Sequence, residues 1–425
     1  MTKEMLVRFD GADTVIAYIE DGQLAEISLP RADNQYLLGN IYLGEVENVL
    51  PGMQAAFVDI GLEKNSFLYV DDAVTAAPPG SAAEEGKGER SITELVKPRQ
   101  QVIVQVFKEP AGTKGARVTL QPSLAGRFVV LLPCGDYIAV SRRIEDEQQR
   151  EQLKELVRET LPANMGAIVR TVAAEADGAQ LAAELKALLK KWRRIQGSAL
   201  KAQPPSLLYQ DFDQLKRAIR DGNPQDLDAI VVEDEQAYAR VAETIAEIAP
   251  ALGDKLRLRE SRNLLADYNI EEQLERALKR KVWLKHGGYI IFDQMEALTV
   301  IDVNTGKYVG ERNLQDTVFK TNMEAMTEIA RQLRLRNIGG IIVVDFIDME
   351  DEQDKQKLLA AFEEELKKDR IRAAILGMTQ LGLVEMTRKK IGHDLSAIIE
   401  SECPHCGGKG RVLSERYSRL AQNNS

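Results

Sequence analysis

The sequence predicts a multidomain protein of mixed α+β and α/β class. Three observations lead there. The 425 residues exceed what one hydrophobic core organises, so about two to four domains are expected. Short β runs separated by glycines recur between residues 39 and 120, the pattern of a small antiparallel barrel. From residue 282 onward, apolar strands alternate with long helices, an α/β texture.

The elements follow in order. Met5–Phe9 and Thr14–Ile19 alternate as strands, and Asp21-Gly22 is a hairpin turn signal. Barrel strands are expected at Gly39–Val49, Gln54–Ile60, Ser66–Val70, Gln101–Phe107 and Ala116–Leu120. Residues 73–98, rich in Ala, Pro, Gly and charge, read as a flexible insertion within that barrel. Next come a strand at Phe128–Leu132, a helix at Glu145–Thr160, a strand at Gly166–Val172 and a helix at Ala179–Gln196. Ala229–Val232 reads as a buried strand and Glu235–Ile248 as a helix. Tyr289–Phe292 and Leu298–Ile301 form a hairpin. A long helix then runs from Asn313 to Arg336 and stops at Gly339-Gly340. Ile341–Asp345 is a near-continuous apolar strand, followed by a charged helix over Glu350–Lys368.

Composition excludes several classes. The net charge of −10 disfavours a protein that simply coats phosphates, but leaves room for a local basic patch beside an acidic site. No apolar run spans a bilayer, and the N-terminus has no apolar signal region. Three cysteines are too few for a disulfide scaffold and favour a reducing compartment, hence the cytoplasm.

The strongest chemical signal is acidic. Period-two geometry puts Asp302 and Asn304 on one face of Val300–Asn304. Asp345 ends the second apolar strand. Two such strand ends would place two carboxylates and an amide around a hard cation, and Mg²⁺ suits that oxygen set. The competing reading makes each aspartate a turn or helix-cap residue. Asp348 reads as the cap of the following helix rather than a metal ligand. Arg331, Arg334 and Arg336 are candidates to hold phosphates, or else a solvated face complementing the helix dipole.

Cys403-Pro-His-Cys406 with its following glycines suits a thiolate turn on Zn²⁺, but a structural zinc needs four ligands. His393 is a possible third ligand and His405 lies inside the turn, while Cys134 is remote in sequence. The favoured arrangement is one zinc shared by two chains, two sulfurs from each. The alternatives are a metal-free or redox pair. In the barrel, Phe57, Phe67 and Tyr69 alternate on strands, with Lys108 and Lys114 nearby. Such aromatics are either core or a stacking platform for unpaired bases. Arg170-Thr171, at a strand end, forms either a terminal-phosphate clamp or an ordinary surface pair.

AAFVDIGLEKNSFL, SLAGRFVVLLP, VSRRIE, AIVRT, EALTVIDVNTGKYVG, EIARQLRLRNIGGIIVVDFIDM and CPHCGGKG occur in this order. Together they resemble the catalytic region of the ribonuclease E/G family, over nearly the whole chain to about Arg411. The resemblance implies an RNase H-like domain (1–36 and 211–279) interrupted by an S1-like OB-fold barrel (37–121). It further implies a 5′-sensor region (122–210), a DNase I-like catalytic subdomain (280–400), a zinc-link (401–412) and a tail (413–425). In that light Asp302 and Asp345 hold Mg²⁺, and Asn304 orients the attacking water or the scissile phosphate. Phe57, Phe67 and Lys114 grip single-stranded RNA. Arg170 and Thr171, the backbone near Gly126 and Val130, and Arg372 sense a 5′-monophosphate. Cys403 and Cys406 link two protomers through zinc. The chain's end at Ser425, short of a further dimer-pairing domain and a long tail, leads us to expect an architecture of the ribonuclease G type, a homodimer and an open question over higher oligomers.

The implied activity is hydrolysis of single-stranded RNA to 5′-monophosphate and 3′-hydroxyl products, stimulated by a 5′-monophosphate, in RNA processing and decay. The competing reading is a non-catalytic RNA-binding or assembly protein, and a zinc redox or chaperone module ranks third.

Overall fold

The computed structural model describes residues 2–11, 13–30, 37–74, 91–110, 114–211, 214–221, 227–306, 314–408 and 410–412. The centre of the expected insertion (75–90), the Lys307–Gly310 end of the EALTVIDVNTGKYVG motif and the 413–425 tail lie outside them. The chain forms two compact units. One comprises residues 1–22 and 28–268, the other residues 23–27 and 269–425. The division at Tyr268 puts the helix Ile270–Leu278 in the second unit, ahead of the expected 279/280 boundary.

In the first unit, Lys3–Asp10 pairs antiparallel with Asp13–Glu20 and parallel with Ala229–Val232, which pairs parallel with Leu256–Leu258. Helices Gln214–Asp221 and Glu235–Ile248 contribute to this sheet's apolar core. Asp21 and Gly22 both take positive φ, as a two-residue type I′ turn requires.

The barrel strands are Ile41–Leu50, Ala55–Asp59, Ser66–Tyr69, Gln101–Lys108 and Arg117–Thr119. The sheet closes because Ile41–Leu50 pairs with both Ala55–Asp59 and Gln101–Lys108. One pairing, Phe67 with Arg117, is parallel, so the barrel is not purely antiparallel. A closed five-stranded barrel with this order has OB-fold character. Two features differ from the sequence reading. Ile92 and Val96, assigned to the flexible insertion, are buried in the barrel core, and Ile92 N–H donates to Gln54 Oε1 at 3.0 Å. Ser206–Tyr209, placed with the 122–210 region, instead adds a strand to the barrel sheet against Ile41–Leu43. A third sheet, with strands Leu124–Ala125, Val129–Leu132, Ile138–Val140 and Gly166–Val169, shares its core with helices Glu147–Thr160 and Gly178–Ala199.

The second unit is a six-stranded sheet. Its order is Lys281–Trp283, Tyr289–Gln294, Leu298–Asn304, Gly340–Asp345, Leu383–Arg388, Ala373–Met378. Only Leu298–Asn304 and Gly340–Asp345 run parallel. A parallel pair needs a crossover, which Leu314–Leu335 supplies. Thr299, Ile301 and Val303 are buried on one face, where Ile301 and Val303 meet apolar residues of Leu314–Leu335 and Glu352–Leu366. The alternate residues Val300, Asp302 and Asn304 are on the other face. The apolar run Ile341–Val344 is not buried on both sides, since Ile341 is 54% exposed. Residues 23–27 are stitched into this unit: Leu24 N–H donates to Gln273 Oε1 (2.7 Å), Arg331 Nη1 donates to the Leu24 carbonyl (2.5 Å), and Glu26 pairs with Arg334 and Arg370.

The crossover helix stops earlier than the glycine pair predicted. Asn337 takes the left-handed conformation, its N–H bonds the Arg334 carbonyl, and Ile338 N–H bonds the Leu333 carbonyl, a Schellman cap. The Asn337 side chain donates to the carbonyls of Ile391 and His393 and accepts from Arg388. Arg388 is buried against Asp369 (2.7 Å) and donates to the Ile338 carbonyl. The cap therefore fixes where the strand carrying Asp345 begins. Asn337→Ala forces a Cβ residue without local hydrogen bonds into the left-handed region and removes three side-chain bonds. We expect a loss of about 3 kcal/mol in urea unfolding, of which Asn337→Gly recovers about 1 kcal/mol.

Candidate active site

Asp302 and Asp345 are direct partners across the parallel pair, so their side chains project from the same face on adjacent strands. Asn304 lies two residues on, and its Nδ2 donates to Asp302 Oδ2 at 2.8 Å. The Asp345 carboxyl is held above the ordinary carboxylate range, first by partial desolvation, then by the negative charges of Asp302 and Asp348. Asp348 does not cap the next helix. That role falls to Asp351, which accepts from Gln353 N–H at 2.8 Å. Instead Asp348 contributes a third charge beside the pair, near Gly382. Two carboxylates repelling one another, with an amide oxygen alongside, form a donor set suited to a hard divalent cation. Among the described residues no group of three or more His, Cys, Asp or Glu is placed to hold a metal.

The arginines at the end of the crossover helix are neither phosphate ligands nor a solvated face. Arg334 and Arg336 are buried. Arg331 pairs with Glu328 and the Leu24 carbonyl. Arg336 donates to Gln332 and the Lys279 carbonyl and lies over the Phe292 ring, 4.2 Å from its centroid. Burial brings its pKa down to about 10.

In the barrel, Phe57 and Phe67 are cross-strand partners with ring centroids 6.0 Å apart, edge to face. Both are half-buried, while Ala56, Val58 and Leu68 fill the core, so the two rings share the outer face. Lys114 is exposed, as is Lys108. The sequence reading missed Arg117, the partner of Phe67. It lies over the Tyr69 and Phe107 rings (5.5 and 5.2 Å) and is tied to Asp72 at 2.7 Å. The alternation of Ala116–Leu120 carried the signal: Val118 points inward, so Arg117 points outward.

Gly126, Val130, Arg170 and Thr171 come together on the third sheet. Val130 pairs with Ile168, and Arg170 donates to the Gly126 carbonyl at 2.9 Å and pairs with Asp221 at 2.8 Å. Burial works to raise Asp221, but the bond and charge of Arg220, then Arg170, outweigh it and hold the carboxyl low. Thr171 is exposed and shares a hydroxyl–hydroxyl bond with Ser141 at 2.8 Å. Glu184 went unnoticed in the sequence. Its carboxylate accepts from the backbone N–H groups of Arg127, Phe128 and Val129 (2.6, 2.8 and 3.1 Å). A Cβ on residue 126 would lie 2.5 Å from that carboxylate, so a larger residue there would push Glu184 off its three backbone donors. Arg372 belongs to the second unit, exposed just before Ala373–Met378.

The cysteine turn is preformed. Gly407 N–H bonds the Cys403 carbonyl (2.8 Å), and Gly410 N–H bonds Cys406 Sγ (3.3 Å). Hydrogen bonds from the Cys406 and His405 backbone, with the Cys406 side chain, push the Cys403 thiol down toward thiolate. Burial pushes the Cys134 thiol up, the opposite of a metal ligand's environment. Among the described residues no third His, Cys, Asp or Glu joins Cys403 and Cys406.

Residues 123–391 match the Ribonuclease E/G family. The chain is 43% identical over 414 residues to Ribonuclease G of Escherichia coli strain K12, covering 97% of this chain and 85% of that protein. It is 41% identical to Ribonuclease G of Haemophilus influenzae (96% of this chain, 84% of that protein). It is 42% identical to Ribonuclease E of Nostoc sp. strain PCC 7120, covering 96% of this chain but 59% of that longer protein. The expected resemblance is thus met across both units, and the chain belongs to the ribonuclease E/G family.

Proposed function

We propose that this protein is a Mg²⁺-dependent endoribonuclease that cuts single-stranded RNA, is stimulated by a 5′-monophosphate, and acts in RNA processing and decay in the cytoplasm. As a family member it is an endoribonuclease, a hydrolase of phosphodiester bonds. The observation that carries the metal reading is the register of Asp302 against Asp345. In this reading the two carboxylates hold the cation, and Asn304, which gives one amide hydrogen to Asp302, keeps its oxygen to accept from the attacking water and its second N–H to donate to the scissile phosphate. Bound Mg²⁺ would supply an acidified water and neutralise charge growing on the phosphodiester. Cleavage leaves a 3′-hydroxyl and a 5′-monophosphate. Phe57, Phe67 and Lys114 stack and steer unpaired bases, which favours single strands. No helix among the described residues is long and apolar enough to cross a membrane.

The same reading takes the 1–36 and 211–279 segments as RNase H-like, the barrel as S1-like and residues 280–400 as DNase I-like. Arg170, Thr171 and the backbone near Gly126 and Val130 form the 5′-phosphate pocket. Asp221 and the Gly126 carbonyl hold the Arg170 guanidinium ready for it. Cys403 and Cys406 share one zinc with the same pair of a second protomer, which completes four sulfur ligands.

Three outcomes test these assignments. Asp302→Asn and Asp345→Asn each slow cleavage of a 5′-monophosphorylated single-stranded RNA by about 10²- to 10³-fold or more, and EDTA abolishes it. Cleavage that persists in EDTA would exclude the metal. Second, Arg170→Ala brings the rate on monophosphorylated RNA down to the rate on its 5′-hydroxyl counterpart. A retained difference would place the sensor elsewhere. Third, metal analysis finds half a zinc per chain, and Cys403→Ser with Cys406→Ser loses both the zinc and the dimer in sedimentation. One full zinc per chain would rule out sharing.

A further inference from the structure

The open face of the second unit carries an aromatic and basic group that the cleavage chemistry leaves unused. Trp283 is 63% exposed, at the end of the edge strand Lys281–Trp283. The indole is the largest flat apolar surface a side chain offers. Lys281 Nζ lies 3.9 Å from the Trp283 ring centroid and 3.6 Å from that of Tyr289. The two rings pack edge to face with centroids 5.4 Å apart. Lys281 and Tyr289 therefore brace the indole, which remains largely in solvent.

Register fixes where this group stands. Trp283 is the cross-strand partner of Tyr289, which is the partner of Asn304. Lys281 lines up through Ile291 with Asp302, and so with Asp345. All these side chains project from one face. Trp283 lies two strands from Asn304, roughly 10 Å along the sheet. Along the row the charge changes from a cation at Lys281 to the carboxylates at Asp302 and Asp345. A polymer of alternating planar bases and phosphates fits such a row, with a base on the indole and a phosphate near the ammonium. A duplex does not, since its base faces are already stacked.

We propose that Trp283, braced by Lys281 and Tyr289, is a nucleobase-stacking subsite that holds an unpaired nucleotide of the RNA next to the scissile phosphodiester. The inference rests on the endoribonuclease reading above and adds a specificity-determining contact to it.

The chain has two tryptophans, and Trp192 is buried in the helix Gly178–Ala199, which makes Trp283 a usable reporter. The test titrates full-length Asp302→Asn protein, in Mg²⁺, with an unstructured 5′-monophosphorylated ten-nucleotide RNA. Tryptophan fluorescence is expected to fall saturably, and the change is lost when Trp283→Phe is added. In the otherwise natural chain, Trp283→Ala is expected to raise KM for single-stranded RNA about 5- to 100-fold, with kcat falling less than KM rises. Trp283→Phe recovers most of that loss, which separates stacking from misfolding. RNA that binds, by anisotropy, without changing the fluorescence would overturn the proposal. So would Trp283→Ala with an unaltered KM. A Trp283→Ala chain that sediments as a smaller species at unchanged RNA affinity also overturns it, and assigns the face to self-assembly. If the natural chain cleaves no RNA, the endoribonuclease reading fails; cleavage indifferent to Trp283 sinks the subsite alone.

Discussion

The site depends on a single pairing register, that of Leu298–Asn304 with Gly340–Asp345. Side chains alternate along a strand, so a slip of one residue would turn Val344 out and send Asp345 to the helix-packed face, against Ile329, Leu358 and Phe362. A carboxylate there would meet no partner and would be strongly disfavoured. The apolar alternation thus enforces the meeting of the two aspartates, and the chemistry inherits a geometry that core packing determines. The Asn337 cap contributes at the other end, by fixing where the second strand starts after the crossover helix.

The charge arrangement follows a similar economy. Most buried arginines here are structural: Arg336 caps carbonyls and covers Phe292, and Arg388 joins Asp369 to the helix cap. Glu184 fills a cluster of three backbone donors in the sheet that carries Arg170. Arg170 itself is held against the Asp221 carboxylate and the Gly126 carbonyl rather than left mobile.

The sequence was most readable where periodicity was strong and partners were local. The barrel strands, the helices Glu147–Thr160 and Glu235–Ile248, and the Asp302–Asn304 face all follow from alternation or from caps a few residues away. It was least readable where meaning depends on distant partners. Arg334 looks like a surface residue until Glu26 is seen opposite it. The helix stop fell at Asn337 rather than at the glycine pair, because carbonyls at Ile391 and His393 and the Arg388 guanidinium favour the asparagine. Ile92 and Val96 were lost in a polar segment because two apolar residues show no period. The Asp302–Asp345 pairing was inferred from two strand ends, and the family resemblance strengthened that inference.

Residues 23–27 have a consequence for biosynthesis. Leu24 is bound by Arg331, 307 positions later in the chain. The ribosome therefore delivers this short segment long before Gln273, Arg331, Arg334 and Arg370 exist, and the second unit reaches its final form only after nearly the whole polypeptide has emerged. A fragment starting at Asn269 would lack this segment altogether, exposing the arginines that it neutralises.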